Sequence, residues 1–238
     1  MCQYGGETMK TLCIDIGGTG IKAIILGPDG AALTERARVE TPDPAEPEAV
    51  LKIVEELGKG QGEFDRVSVG FPGVVMAGVT KTAPNLAEGW AGIDLAAEVG
   101  KRLGKPVRVA NDAGIQGLGV IEGKGLEMVI TFGTGMGSAL YIDGRYVPNL
   151  ELGHHPYRKG ESYEDRIDNA VRKRIGKERW NKRVRKIIEQ IEPIFNYRRL
   201  YIGGGNARHI DASRLPENVT IVDNLAGLLG GIKLWADG

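Results

Sequence analysis

Apolar residues along this chain fall into short blocks, and glycines and prolines separate them. Leu12–Ile16, Ile21–Leu26 and Ala31–Val39 read as three strands joined by tight turns, the second being Gly27-Pro28-Asp29-Gly30. A Pro-rich acidic loop at 41–47 then leads into a helix. Its apolar face is Val50, Ile53, Val54 and Leu57, and Gly58 and Gly60 mark its expected end. Arg66–Gly70 reads as a fourth strand, Ile93–Leu103 as a second helix, Val107–Ala110 as a fifth strand, and the residues from Ala113 onward as helical. The second half repeats the rhythm. Strands are expected at Met128–Thr131, Ser138–Ile142 and Arg145–Val147, with Asp143-Gly144 as a tight turn. Two long helical stretches follow, then a strand at Leu200–Ile202, a short helix, a strand at Val219–Val222 and a final helix at Leu225–Trp235. This duplication, without close sequence identity, predicts an α/β chain of two lobes with a central cleft. The expected lobes are residues 11–110 and 111–238, with the last helix a candidate to pack back on the first.

Both halves place a glycine-rich turn between their first and second strands. One is Asp15-Ile16-Gly17-Gly18-Thr19-Gly20 and the other Thr131-Phe132-Gly133-Thr134-Gly135-Met136-Gly137. Turns without Cβ atoms let backbone N–H groups approach an anion, and Thr hydroxyls add donors. Two such turns predict a phosphate chain gripped from both sides, and hence phosphoryl transfer. Asp15 beside the first turn suits a hydrated Mg²⁺, which takes few protein ligands, or alternatively a turn aspartate bonded to the Gly17 or Gly18 amides. Lys22 is in reach of phosphate, or is a surface lysine. Asn111-Asp112 stands where a strand gives way to a helix, the place where α/β proteins put ligand contacts. Asp112 there is either a general base or a helix N-cap, two roles that are compatible.

Composition narrows the picture further. Thirty-one basic and 31 acidic residues cancel, so overall charge favours neither a nucleic-acid binder nor a membrane-surface protein. No apolar stretch is long enough for a membrane span, and the N-terminal residues lack signal-peptide character. Cys2 and Cys13 are the only cysteines, so no disulfide framework is expected and the reading is a cytoplasmic protein. Met9 is the more natural start, because the first strand begins just after it.

Three further segments carry candidate chemistry. Glu151-Leu152-Gly153-His154 brings polar groups toward a small hydroxylated ligand, or is an ordinary exposed loop. His154-His155 raises a metal site, but with three histidines in all and no cysteine nearby, zinc is not expected. Gly203-Gly204-Gly205-Asn206 lets a base or ribose lie against the backbone, or is a plain turn. Between Arg158 and Lys186, 12 residues are basic and five acidic. Trp180, Val184, Ile187, Ile188 and Ile191 keep helical spacing there, so the basic residues form a solvated face or steer a polyanion.

In order and spacing these motifs resemble the ROK family of sugar kinases in the actin-like ATPase and hexokinase superfamily, most closely its polyphosphate glucokinase branch. The residues that carry the resemblance are 15–22, 70–75, 82–85 with Trp90, 111–113, 131–137, 147–154 and 201–206. The resemblance implies two actin-like, ribonuclease H-like lobes, each a mixed β-sheet flanked by helices. It implies that Asp112 deprotonates the 6-hydroxyl of glucose, and that Asn111, Glu151, His154 and the backbone of Gly73 hold other sugar hydroxyls. Asn85 and Trp90 would wall the sugar pocket. Asp15 would position Mg²⁺, and Gly17, Gly18, Thr19, Gly20, Lys22, Thr131, Gly133, Thr134, Gly135 and Gly137 would clamp the donor phosphates. Gly203, Gly204 and Gly205 would face a nucleotide. The donor would be ATP, polyphosphate or both, and a homodimer is expected. Another hexose, such as mannose or N-acetylmannosamine, is the alternative acceptor. The family also contains sugar-responsive regulators, which carry an N-terminal DNA-binding segment that only ten residues before strand one do not accommodate. The segment after His154 lacks the Cys-rich zinc motif of most members, and it leaves their second sugar-binding Glu without a named counterpart.

Overall fold

The computed structural model describes residues 9–222 and 226–235. They divide into two compact units, one running to Gly119 and resuming at Gly227, the other spanning Val120–Ala226. The sequence pattern sets the boundary between 110 and 111. By contacts, residues 111–119 and the last helix group with the first unit.

The first unit is built on β1 (Thr11–Ile16), β2 (Ile21–Leu26), β3 (Ala37–Val39), β4 (Arg66–Phe71) and β7 (Val107–Asn111), in the order β3-β2-β1-β4-β7. β1 pairs antiparallel with β2 and parallel with β4, and β4 pairs parallel with β7. Two helices, α1 (Pro47–Gln61) and α2 (Leu95–Leu103), cover the sheet, and α3 (Asp112–Leu118) follows β7 directly. A short hairpin of β5 (Val75–Met76) and β6 (Val79–Thr80), absent from the sequence reading, leaves the end of β4.

Two boundaries differ from the pattern for visible reasons. The third strand is Ala37–Val39 rather than Ala31–Val39, because the Thr34 hydroxyl accepts the Ile25 N–H (3.0 Å) that a longer ladder would use. Helix α1 runs through Gly58 to Gln61. A Cβ at Gly58 would lie 2.9 Å from Leu103 Cδ2 and 3.2 Å from Leu12 Cδ2, so that glycine admits close packing and Gly62, at φ 102°, ends the helix. Leu12, Ile14, Val50, Val54, Val67, Val69 and Phe71 form the core between sheet and helices.

The second unit repeats the topology. β8 (Leu126–Phe132), β9 (Met136–Ile142), β10 (Arg145–Val147), β13 (Arg199–Gly203) and β14 (Val219–Ile221) run in the order β10-β9-β8-β13-β14. β8 is antiparallel to β9 and parallel to β13, as β1 is to β2 and β4. The expected pair of long helices is one short-element segment and one helix. A hairpin of β11 (Pro156–Arg158) and β12 (Glu161–Ser162) turns through Lys159 and Gly160, both at positive φ. Then come α4 (Glu164–Ile167), α5 (Asn169–Ile175), capped by Asp168, and the long α6 (Lys177–Phe195). Helix α6 buries Trp180, Val184, Ile187, Ile188 and Ile191, the stripe its spacing predicts. The short helix expected after β13 is two single turns, Ala207–His209 and Ala212–Arg214.

The last helix, α7 (Ala226–Lys233), belongs with the first sheet. Ser68 Oγ donates to Gly231 O (2.6 Å), Arg108 donates to Leu234 O (2.7 Å), and the Arg66 and Arg108 guanidinium groups lie over the Trp235 ring, 5.1 and 4.6 Å from its centroid. Residues 223–225, including the expected helix start at Leu225, lie outside the described residues, as does Cys2.

Candidate functional site

In the first unit the parallel strands β1, β4 and β7 end side by side, and register sets what meets there. Asp15 pairs with Gly70, and Gly70 with Ala110. A Cβ on Gly70 would lie 3.7 Å from Asp15 Oδ1 and 3.6 Å from Asp112 Cα. One glycine thus separates Asp15 from Asp112, at the strand ends where ligands bind open α/β sheets. The N-cap of α3 is Asn111, whose Oδ1 accepts the Ala113 and Gly114 N–H groups (2.9 and 3.3 Å) while Nδ2 donates to Gly73 O (3.1 Å). Asp112 follows in the first turn, and its Oδ1 accepts the Ala113 N–H (2.7 Å). Gly73 must be glycine, since a Cβ would come 2.0 Å from Thr82 O. Its N–H bonds to Phe71 O and its carbonyl to Asn111.

The turn between β1 and β2 is closed by Gly17 N–H to Gly20 O (3.1 Å), and the Thr41 hydroxyl donates to Gly17 O. Asn85 is exposed beside it, its carbonyl 3.3 Å from where a Gly18 Cβ would stand. Lys22 Nζ binds Asp15 Oδ2 at 2.7 Å. The Arg38 guanidinium, unforeseen in the sequence, rests on the same turn and donates to Thr19 O (3.0 Å). Trp90 corrects an expectation. It is 1 % exposed, its ring tilted against Phe71 (centroids 4.9 Å apart) with its N–H on Ala45 O (3.0 Å), so it supports the Pro-rich loop from the core and offers no wall to a ligand.

In the second unit the turn is shorter than its motif. Thr131 and Gly137 are ladder partners, leaving Gly133-Thr134-Gly135 as the loop, closed by Gly133 N–H to Gly135 O (3.0 Å). A carboxylate sits on one side. Glu164 Oε2 accepts the Met136 N–H (2.7 Å), and a Cβ on Gly135 would come 2.1 Å from it. The other side is open, for nothing lies within 4 Å of a Gly133 Cβ. There Asn206 Nδ2 donates to Gly133 O (2.9 Å), and Asn206 Oδ1 accepts from Arg172 Nε (3.1 Å). Arg172 is therefore the residue of the basic 158–186 run that reaches this turn. Arg208 and Lys177 gather near it, and burial first, then these three cations, push the His209 imidazole down.

The triple glycine serves three ends. Gly203 is a ladder partner of Thr131. Gly204, at φ 85°, packs its backbone where a Cβ would come 2.4 Å from Phe132 O. Gly205 faces open space.

Glu151 is set by Ser138, whose hydroxyl donates to Leu150 O (2.8 Å) and accepts the Leu152 N–H (3.1 Å). Gly153 fits where a Cβ would come 2.4 Å from Met136 O, which brings the Glu151–His154 segment against the start of β9. Burial pushes the Glu151 carboxyl up, His154 draws it down, and Glu164 adds to the rise. These three side chains thus share one electrostatic neighbourhood, and Glu164 is the member that sequence spacing did not reveal.

Among the described residues no group of three His, Cys, Asp or Glu is placed to hold a metal ion. A single carboxylate, Asp15, at a strand end beside a glycine turn is a donor set that fits Mg²⁺ bound mainly by water. Cys13 is buried, and burial pushes its thiol up to about 12 against the opposing pull of Arg66, which makes it a core residue and not a nucleophile.

Comparison with known proteins decides the family. The model of the ROK family matches residues 11–162. The chain belongs to the ROK family. It is 35% identical to the polyphosphate glucokinase of Mycobacterium tuberculosis (strain CDC 1551 / Oshkosh) across 97% of this chain and 96% of that protein. Among solved structures, the inorganic polyphosphate/ATP-glucomannokinase from Arthrobacter sp. strain KM superposes with a TM-score of 0.86 at 33% identity, covering 97% of this chain and 100% of the other. A ROK family glucokinase from Streptomyces griseus, in complex with glucose and AMPPNP, gives a TM-score of 0.76 at 21% identity, with 96% and 100% covered. That likeness speaks for the fold, and the paired five-stranded sheets are the actin-like ATPase fold of ROK sugar kinases.

Proposed function

We propose that this ROK protein is a hexokinase-type phosphotransferase that moves a phosphoryl group from polyphosphate, ATP or both to the 6-hydroxyl of glucose, giving glucose 6-phosphate. The observation that carries it is the placement of Asp15 and Asp112 on either side of Gly70, beside a glycine turn that bears cations. Similarity to polyphosphate glucokinases over nearly the whole chain supports the same reading.

A sugar hydroxyl is a weak nucleophile, and phosphoryl transfer depends on alignment and charge stabilisation more than on covalent chemistry. In this proposal Asp112 accepts the proton of the 6-hydroxyl as it attacks. Asn111 cannot swing freely, because it caps α3 and bonds Gly73, so it presents a fixed amide to the sugar. Glu151 and His154 supply acceptors and a donor for the remaining hydroxyls, with the second-unit fold fixing Glu151 through Ser138. The Gly17–Gly20 turn and Lys22 grip the donor phosphates, together with the open Gly133–Thr134 face and Gly205. Asp15 would hold Mg²⁺, and the ion would supply charge neutralisation at the donor phosphates.

The partners in this proposal are a hexose and a phosphoanhydride donor, in a cytoplasmic homodimer that serves carbohydrate breakdown. No helix among the described residues is long and apolar enough to cross a membrane.

The test is glucose 6-phosphate formation by purified protein with Mg²⁺, comparing ATP with inorganic polyphosphate. Product with either donor supports the reading, and product with polyphosphate assigns the donor. The Arthrobacter relative is named a glucomannokinase, so mannose is the second acceptor to assay. No product from any of these combinations sinks the proposal.

A further inference from the structure

Lys22 is the cross-strand partner of Arg38, Asp15 of Lys22, Gly70 of Asp15 and Ala110 of Gly70. One transverse row therefore crosses all five strands of the first sheet and ends beside Asn111-Asp112. Direct cross-strand partners project from the same face, and the 2.7 Å contact between Lys22 and Asp15 shows it for that pair. Along the row the charge runs from Arg38 and Lys22, through the Asp15 carboxylate, to the neutral glycine floor between Asp15 and Asp112.

Lys22 Nζ has a carboxylate partner, Asp15 Oδ2 at 2.7 Å, beside the turn. Arg38 is not paired in that way. Its side chain is exposed, its Nη2 donates to the backbone carbonyl of Thr19 at 3.0 Å, and among the described residues it has no carboxylate partner. Arg102, Arg166 and Arg198 by contrast each bind glutamate. The guanidinium occupies the space that a side chain at position 20 would take, for a Gly20 Cβ would come within 2.8 Å of Nε and Nη2 and 2.9 Å of Cζ. Gly20 is therefore the residue that admits Arg38 to the turn, and a backbone oxygen orients it while no carboxylate among the described residues pairs with it.

We propose that Arg38 is a donor-binding residue, whose guanidinium takes oxygens of a phosphate in the donor chain other than the one transferred. The ligand class is a linear phosphoanhydride, either inorganic polyphosphate or the triphosphate of a nucleotide. An arginine fork matches phosphate oxygens in geometry as well as charge. Place in the row supplies the order of contacts. β3 is two ladder spacings from β1, roughly 10 Å, and lies on the side away from β7. A donor whose transferred phosphoryl group faces Asp112 passes Asp15 and the Gly17–Gly20 turn before it meets Arg38. This inference rests on the phosphoryl-transfer reading above for the identity of the anion.

The test uses Arg38→Gln and Arg38→Lys in the full-length protein, with two readouts. In steady-state assays, Arg38→Gln raises the KM for the donor about tenfold, Arg38→Lys restores part of it, and the KM for glucose and the thermal midpoint stay as in the parent protein. A rise with polyphosphate alone assigns the contact to that donor, and a rise with ATP alone assigns it to the nucleotide triphosphate. In titration calorimetry without glucose, tripolyphosphate binds the parent protein and binds Arg38→Gln about tenfold more weakly. If the parent protein shows no kinase activity but this difference in tripolyphosphate binding holds, the anion site stands and the kinase reading falls. Unchanged donor KM and unchanged tripolyphosphate affinity in Arg38→Gln overturn the inference, as does an absence of tripolyphosphate binding to the parent protein.

Discussion

The two glycine-rich turns look alike in sequence and occupy the same topological place, yet their surroundings differ in sign. At Gly17–Gly20 the neighbouring side chains are Arg38 on the turn and Lys22 beside it, answered by one aspartate. At Gly133–Gly135 a carboxylate, Glu164, covers one side and takes the Met136 N–H, while Asn206 and Arg172 stand at the open side. In the proposed function the first turn meets the donor anion broadly. In the same proposal the second meets one on a single face, its other side covered by Glu164, which couples to Glu151. Equal motifs thus acquire unequal surroundings from residues that lie far away in the chain.

The comparison is sharpest where the chemistry sits. Asp112→Asn keeps the cap and the fold, because Asn111 caps α3, but removes the proposed base. A loss of about 10²–10⁴-fold in kcat with KM values near the parent's is expected, and near-normal turnover would place the chemistry elsewhere.

Next in size is the strand that leads to the second turn. Glu127 on β8 is fully buried and accepts N–H groups from Glu122, Gly123 and Lys124, the Tyr201 hydroxyl and Arg198. Burial alone would raise its carboxyl, but these donors, Lys124 and Glu122 foremost, hold it below its ordinary value of 4.5. A depressed folded value means that its stabilisation is present above 4.5 and lost as pH falls below it. Glu127→Ala should cost about 3 kcal/mol at neutral pH in urea unfolding, and the gap to the parent should narrow in acid. A pH-independent difference would show that the carboxylate's charge is not what ties β8 down.

Glu164→Gln tests the asymmetry of the turns directly. Removing this charge should raise the KM for glucose several-fold, about 1 kcal/mol, with the donor KM within twofold of the parent's. A lowered donor KM instead would mean that the carboxylate obstructs an anion cradle equal to the first. The smallest effect is expected at Glu151. Its carboxyl is raised, mainly by burial, so the folded state resists ionisation and its stability declines as pH rises through and above 4.5. Glu151→Gln should therefore melt slightly higher than the parent at neutral pH and equally below pH 4.5, despite weakened glucose binding. Equal melting at every pH would remove the electrostatic strain assigned to this site.

Much of this was legible in the chain itself. Apolar periodicity located β1, β2, β4, β7 and the stripe of α6, because burial on one face leaves a periodic trace. The β3 boundary failed because Thr34 replaces a ladder acceptor, a local hydrogen bond that composition does not announce. The helix end expected at Gly58 failed because that glycine answers to Leu103 and Leu12 and not to the backbone. Asp15 and Asp112 were recognisable as strand-end carboxylates, whereas Arg38 and Glu164 carried no local signal and Arg172 only that of the basic 158–186 run.

The sequence by itself determined the fold class, the duplicated order of elements and the family, since each depends on local periodicity and on motifs contiguous in the chain. Only tertiary structure decided which cation rests on the first turn, which carboxylate closes one side of the second, and that a single glycine separates Asp15 from Asp112. Those facts follow from strand register and from space left by absent Cβ atoms, which couple residues distant in sequence and leave no periodic mark along it.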